Sequence, residues 1–204
     1  CNVVYKVTGY QSDTRMTVRP ISYSSKSLAT AQTNNTNSAI KTTIDNWYEN
    51  NLTAYTSKLA DETFCNDRSI SSGTGYKTDS SSLYGSYNRN IDKRSPSLKC
   101  TQDNDKFKVS NEVAKLDYPV ALITADEMAM AGGVLDTANT NYYLCNGEYQ
   151  WSLSPGHFSV YSSLGDVLQV FPSGSLRSWL DVNSSLGVRP VINLKSDTLI
   201  TKGD

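Results

Sequence analysis

Histidine is almost missing from this chain: His157 is the single imidazole in 204 residues. The four cysteines stand far apart, at positions 1, 65, 100 and 145, with no CxxC pair among them. The usual zinc-ligand spacings are therefore excluded. No run approaches the roughly 18 consecutive apolar residues of a membrane-spanning helix. Charge of one sign is lacking as well. Lys and Arg total 19 against 20 Asp and Glu, for a net charge of −1 and a pI near 5.9. That balance leaves no electrostatic footprint for nucleic acid or an anionic membrane. No G-x-S-x-G elbow is present, and the sequence does not identify the acid that a triad of His157 with Ser152, Ser154 or Ser159 would need.

What the chain has instead is Ser, Thr and Asn, nearly a third of all residues, and 13 tyrosines. Tyrosine brings a large contact area, few rotatable bonds and a hydroxyl, which suits binding surfaces. It also has a high strand preference, so each Tyr has a purely structural reading beside the functional one. At 22.4 kDa the chain is long enough to bury a real core. It starts at Cys1 without a visible signal peptide and stops at Ile-Thr-Lys-Gly-Asp, which reads as a processed form or a fragment. A lipid-modified Cys1 is one version of that reading.

Residues 1–37 read as a β-prone segment (Val3 to Ile21) and a polar linker (Ser22 to Asn37), part of the same domain as 38–204. Ile40, Ile44, Trp47, Tyr48, Leu52, Tyr55 and Leu59 recur at helical spacing, with Asn37 or Ser38 as N-cap. The pattern fits one amphipathic helix, or two meeting near Asn50 and Asn51. Residues 66–111 hold few aliphatics and many turn formers, an irregular insertion that is either functional or stapled. An apolar strand follows over 118–124 and runs into a capping box, Thr124-Ala-Asp-Glu127, that opens a short helix ending near Gly132-Gly133. From Tyr142 to Leu194 short apolar runs alternate with Ser, Gly, Asn and Pro turns about every 8–12 residues, as in a compact antiparallel unit. Helices first and antiparallel strands later make an α+β pattern.

Four cysteines allow three pairings. Cys65 and Cys100 bracket a Gly/Ser/Tyr-rich segment, and a bridge there would close a loop of roughly 35 residues, worth about 3–4 kcal/mol. That pairing is expected, with Cys1–Cys145 following by elimination and free thiols as the alternative. Asn66-Asp67-Arg68, beside Cys65, suggests a buried polar network that orders the insertion. Asp103-Asn104-Asp105 lacks the remaining ligands of a calcium loop and reads as a turn. Asp126 and Glu127 are explained by the first helical turn and its dipole. Along Leu176 to Val182, alternation places Leu176, Leu180 and Val182 inward, and Arg177, Trp179 and Asp181 outward. Trp151 is expected in the core, and Gly187 to Leu194 as a closing strand with Arg189 paired internally.

Several motifs together resemble a known family. They are Ile-Asp-Asn-Trp-Tyr (44–48), Phe-Cys-Asn-Asp-Arg-Ser (64–69), Ser-Pro-Ser-Leu-Lys-Cys (95–100), Tyr-Pro-Val-Ala-Leu-Ile-Thr-Ala-Asp-Glu (118–127), Ala-Gly-Gly (131–133), Trp-Ser-Leu-Ser-Pro (151–155) and Gly-Val-Arg-Pro-Val-Ile-Asn-Leu (187–194). Over residues 38–204 the chain is similar to a domain of bacterial surface proteins with the C-type-lectin-like fold, in its formylglycine-generating-enzyme branch. The resemblance implies an α+β fold with two helices flanking a twisted antiparallel sheet and long irregular insertions. It also implies kinship with the variable ligand-binding proteins diversified by retroelements, whose variation falls on C-terminal strands and loops. The chain lacks the Glu-Pro-Asn, Gln-Pro-Asp and Trp-Asn-Asp signatures of calcium lectins and the paired cysteines of the oxidases. The expectation is thus a non-enzymatic, cofactor-free and metal-free adhesion or receptor-binding domain at a cell or virion surface. Its ligand would be a protein or glycan on another surface, with neither nucleic-acid binding nor membrane insertion. Ser154, His157, Phe158, Tyr161, Arg177, Trp179, Asp181 and Asn183 are the expected contact residues. A spacer module, or a Cys145-dependent oxidase, is the alternative.

Overall fold

A computed structural model describes residues 5–8, 37–73, 81–159, 164–178, 180 and 184–199. Helix α1 (Ala39–Asn51) starts where Ser38 Oγ accepts the Lys41 backbone N–H at 2.8 Å, which satisfies one orphan donor of the first turn. Ile40, Ile44 and Tyr48, one turn apart, are its buried stripe. Lys41 is buried beside them and pairs with Asp45 one turn on. Leu52 closes the helix, and a 3₁₀ turn (Thr53–Lys58) with no buried residue follows. The pattern therefore breaks at Asn51, and Tyr55 is exposed rather than part of the stripe.

Seven strands of the described residues form the central sheet, in the order β1 (Tyr5–Thr8), β11 (Ser185–Val188), β8 (Gln150–Ser159), β5 (Ser82–Tyr84), β4 (Ile70–Ser72). Strand β9 (Leu164–Val170) lies along the other edge of β8, and β10 (Leu176–Arg177) pairs with β9. All these pairs are antiparallel except β11 with β8, which meet at Gly187 and Gln150. Three two-stranded ribbons surround the sheet. They are β2 (Leu59–Ala60) with β13 (Asn193–Leu194), β3 (Phe64–Cys65) with β6 (Lys106–Phe107), and β7 (Ala121–Leu122) with β12 (Pro190–Val191). The architecture is α+β with antiparallel sheets.

The two faces of the sheet are covered differently. Trp151, Leu153, Val167, Leu186 and Val188 pack with α1 in the main core. Opposite in parity on β9, Leu168 and Val170 pack with Ala125 and Met128 of the short helix α3 (Ala125–Met130). That helix carries the expected capping box in full: Thr124 accepts from the Glu127 N–H, and Glu127 accepts from the Thr124 N–H. It stops at Gly132, whose φ of 124° is a left-handed conformation that favours glycine.

Three expectations need correction. The 66–111 segment is not an irregular insertion: β4 and β5 belong to the central sheet, and Gly85–Tyr87 forms a helical turn, α2, that runs into a wider turn over Asn88–Asp92. The 118–124 strand shrinks to Ala121–Leu122, because Tyr118 leaves the strand path to stack on Tyr48 at 4.9 Å. The closing strand over 187–194 is divided among three sheets, and Arg189 donates to the Leu144 carbonyl at 2.8 Å. The remainder of Val3 to Ile21 outside β1 lies beyond the described residues.

Cys65 and Cys100 are joined by a disulfide, as expected. Cys145 bonds to neither of them; its Sγ sits 3.6 Å from the Pro172 carbonyl. The Cys1–Cys145 pairing lies outside the described residues. The Asn66-Asp67-Arg68 network is present. Arg68, fully buried, donates through Nε to Asp105 Oδ1 at 2.7 Å and through its backbone N–H to Oδ2 at 3.0 Å. The Asp103-Asn104-Asp105 turn thus delivers an ion-pair partner across 37 residues of chain.

Tyr142 packs near α3 in the interior, and its hydroxyl has no hydrogen-bond partner among the described residues. Burial pushes its phenol from 10.0 up to about 12, with Cys145 adding to the shift and Arg189 opposing it. The folded value is raised, so the fold retains a proton that the unfolded chain releases above its ordinary value. Stability should therefore fall as pH rises between about 10 and 12, by up to ~1.4 kcal/mol per pH unit. Tyr142→Phe should reduce that slope, Tyr87 adding a further loss of the same sign, and leave neutral stability unchanged or slightly higher, as read by urea unfolding at neutral and about pH 11. An unaltered slope in the variant would assign the alkaline loss to other groups.

Candidate functional site

The β8–β9 hairpin carries the densest polar arrangement in the region singled out by sequence. Along β8 the side chains are buried from Gln150 to Gly156, and only His157 and Ser159 emerge. His157 pairs in register with Asp166 of β9. The His157 backbone N–H donates to Asp166 Oδ1 at 2.7 Å, and Nδ1 lies 3.5 Å from Oδ2. Ser178, just after β10, donates its hydroxyl to the same Oδ1 at 2.5 Å. Asp166 is buried; burial pushes its carboxyl above the usual range, while the His157 and Ser178 hydrogen bonds oppose the shift. A Cβ at Gly156 would collide with Ser178 Oγ and Asp166 Oδ1, so any larger residue there would displace this pair.

Asp166, not His157, is the centre of this cluster. A nucleophile relay needs the imidazole between carboxylate and hydroxyl. Here Ser178 is tied to the carboxylate, and among the described residues no hydroxyl is hydrogen-bonded to the His157 ring. The arrangement fixes three side chains at one end of the hairpin. Among the described residues no group of three His, Cys, Asp or Glu side chains is placed to hold a metal ion.

Beside it runs a ladder of two aromatic rings followed by an ion pair. Tyr149 meets Phe171 edge to face at 4.8 Å, and Arg177 lies over the Phe171 ring at 5.2 Å. Arg177 then pairs with Asp136 at 2.8 Å. Tyr149 is 40% exposed and Asp136 is exposed. Tyr87 sits within reach of both clusters: burial raises its hydroxyl pKa first, and Asp92, Asp166 and Asp136 raise it further. Held aromatic rings with a guanidinium over one of them are the residue types that dominate binding hot spots.

Of the expected contact residues, His157 belongs to the carboxylate cluster and Arg177 to the aromatic ladder. Ser154 and Phe158 are not, because β8 is covered on both faces over their positions. Ser154 Oγ accepts the Ala125 N–H at 2.9 Å and so supports the first turn of α3. Phe158 is fully buried. Tyr161, Trp179, Asp181 and Asn183 lie outside the described residues. Asp166, Ser178, Phe171, Tyr149 and Asp136 were missed. Asp166 had a signal, a lone carboxylate in the apolar run Leu-Gly-Asp-Val-Leu-Gln-Val, but it needs the hairpin register to be placed against His157.

A pocket of about 210 Å³ opens elsewhere, between β3, the β12–β13 segment and the start of α3. Arg89, on the wide turn after α2, binds Asp126 through Nε and Nη2 at 3.0 and 2.9 Å, and Asp67 through Nη1 at 2.5 Å. The two carboxylates, above all the Asp126 hydrogen bonds, hold the guanidinium pKa above its usual value. Asp126 also accepts the Ser97 N–H at 2.8 Å. Helix dipole alone therefore does not account for Asp126; it is a tertiary ion-pair partner.

No helix among the described residues is long and apolar enough to cross a membrane. Comparison of the chain with protein-family models, curated proteins and solved structures gives no match.

Proposed function

We propose that this chain is a non-enzymatic binding domain, displayed outside the cell on a cell or virion surface, that engages a protein or glycan. The observation that carries this reading is the ladder Tyr149–Phe171–Arg177–Asp136 lying beside a carboxylate-centred His157–Asp166–Ser178 cluster. Rigid rings supply contact area and the ion pair supplies orientation, with no side chain activated for chemistry. Tyr161, Trp179, Asp181 and Asn183 adjoin these residues in sequence and extend the same set of residue types. The disulfide fits an oxidising compartment. A C-type-lectin-like scaffold, two helices flanking an antiparallel sheet, is the fold family proposed.

The test is a screen of the immobilised, oxidised domain against glycans and cell-surface extracts, with and without EDTA. A retained partner should be indifferent to EDTA. Arg177→Ala should weaken its binding by about 10- to 30-fold, since hot-spot truncations cost ~1–2 kcal/mol or more. Equal binding by the variant would move the interface off this face. A folded domain that retains nothing would make the chain a spacer module.

A further inference from the structure

We propose that the pocket beside the disulfide is a second binding site, which takes a primary ammonium group on a short apolar stem. The pocket shares no residue with the hairpin face and does not depend on its role. Its opening is framed by Leu98, 64% exposed, with Phe64, Val191 and the Cys65 sulfur as further apolar wall. Its polar side carries three carboxylates, Asp67, Asp126 and Glu127, against one guanidinium, so negative charge is in excess.

The single cation is already committed. Arg89 directs its donors at Asp67 and Asp126, which leaves an anionic ligand without a counter-charge. A cation meets the opposite situation. Glu127 uses Oε2 for the Thr124 N–H and hydroxyl, and its Oε1 makes no hydrogen bond to any described residue. Thr63 and Asn193 also line the pocket, and neither makes a side-chain hydrogen bond within the described residues. Glu127 and Thr63 lie at its solvent-exposed side and Asn193 is half-buried. One charged and two neutral residues with acceptor oxygens thus line the space, and an ammonium brings three donors to them. The volume of about 210 Å³ and the apolar rim limit the guest to a side-chain-sized aliphatic amine. A lysine side chain of a partner protein and a free diamine share that chemistry.

Titration of the full chain by NMR separates the possibilities. n-Butylammonium at up to about 10 mM should shift the Leu98 and Val191 methyls with a millimolar Kd, and n-butanol should not. Added salt should weaken the shift. Glu127→Gln should weaken binding by about fivefold. The variant keeps the fold, since Gln also completes a capping box at this position. Leu98→Ala, at an exposed position, should weaken binding without touching the ion pairs. Nα-acetyl-lysine methylamide and 1,5-diaminopentane then distinguish a partner's lysine from a free amine. No shift with any amine, equal response to butanol, or an unaltered Kd in Glu127→Gln would overturn the proposal.

Discussion

Asp105→Ala is expected to remove about 3–5 kcal/mol of stability, a large part of the ~5–15 kcal/mol that holds a typical domain together. Arg68 is fully buried, and Asp105 is 3% exposed. The carboxylate accepts both the Arg68 Nε–H and the Arg68 backbone N–H, while the guanidinium also reaches the Asn104 carbonyl at 2.6 Å and lies 5.5 Å over the Phe107 ring. Burial pushes the Asp105 carboxyl up, and the charge and hydrogen bonds of Arg68 act against that shift. Pairing with Arg68 therefore works against the desolvation of the carboxylate while both partners are present. Removing one partner leaves the cost of burying the other, and that asymmetry makes the expected loss large. The damage should spread, because Asp67 and Cys65 flank this pair in the pocket wall. Urea denaturation of Asp105→Ala, Arg68→Met and the double variant Arg68→Met/Asp105→Leu checks the account. The double variant should recover most of the loss; if it is as unstable as Asp105→Ala, buried charge is not the cause.

Opening the Cys65–Cys100 disulfide should cost about 4 kcal/mol by the loop-entropy estimate for its 35-residue separation. The bridge ties β3 to the stretch that carries Ser97 and Leu98, and so holds one wall of the pocket. Without it that wall depends on two backbone hydrogen bonds, Ser97 N–H to Asp126 and Ser95 N–H to the Arg89 carbonyl at 2.8 Å. The double variant Cys65→Ser/Cys100→Ser should unfold at much lower urea, and amide exchange over 93–102 should rise more than in the central strands. A loss below about 1 kcal/mol would mean that the contacts of the segment, not the cross-link, set its stability. Binding at the hairpin face should survive in whatever fraction stays folded, since that face makes no use of the bridge.

Both predictions rest on interactions of unequal visibility in the sequence. The Thr124–Glu127 capping box, the Ser38 cap, the buried stripe of α1 and the glycine stop of α3 are set by groups within about four residues of one another. Spacing alone specifies them. The disulfide was legible because one pair of cysteines brackets a segment poor in aliphatics. The Arg68 network was legible only in part: its existence followed from charged residues beside Cys65, but its partner, Asp105, had been assigned to a plain turn.

The chain by itself determined α1 and α3 with their caps, the Cys65–Cys100 cross-link and the burial of Trp151, because each depends on local geometry, on cysteine placement or on a large apolar surface with nowhere else to go. The apolar runs between turns over 142–194 announced strands without saying what covers their faces. Only the packing of α3 on the second face decided that Ser154 caps a helix and Phe158 is interior. Only the hairpin register brought Asp166 to His157 and Ser178, and only the turn after α2 carried Arg89 to Asp67 and Asp126. Those contacts join residues 9 to 37 positions apart. Their pairing is fixed by the summed burial of the sheet and its ribbons, a property of the folded whole that no single segment encodes.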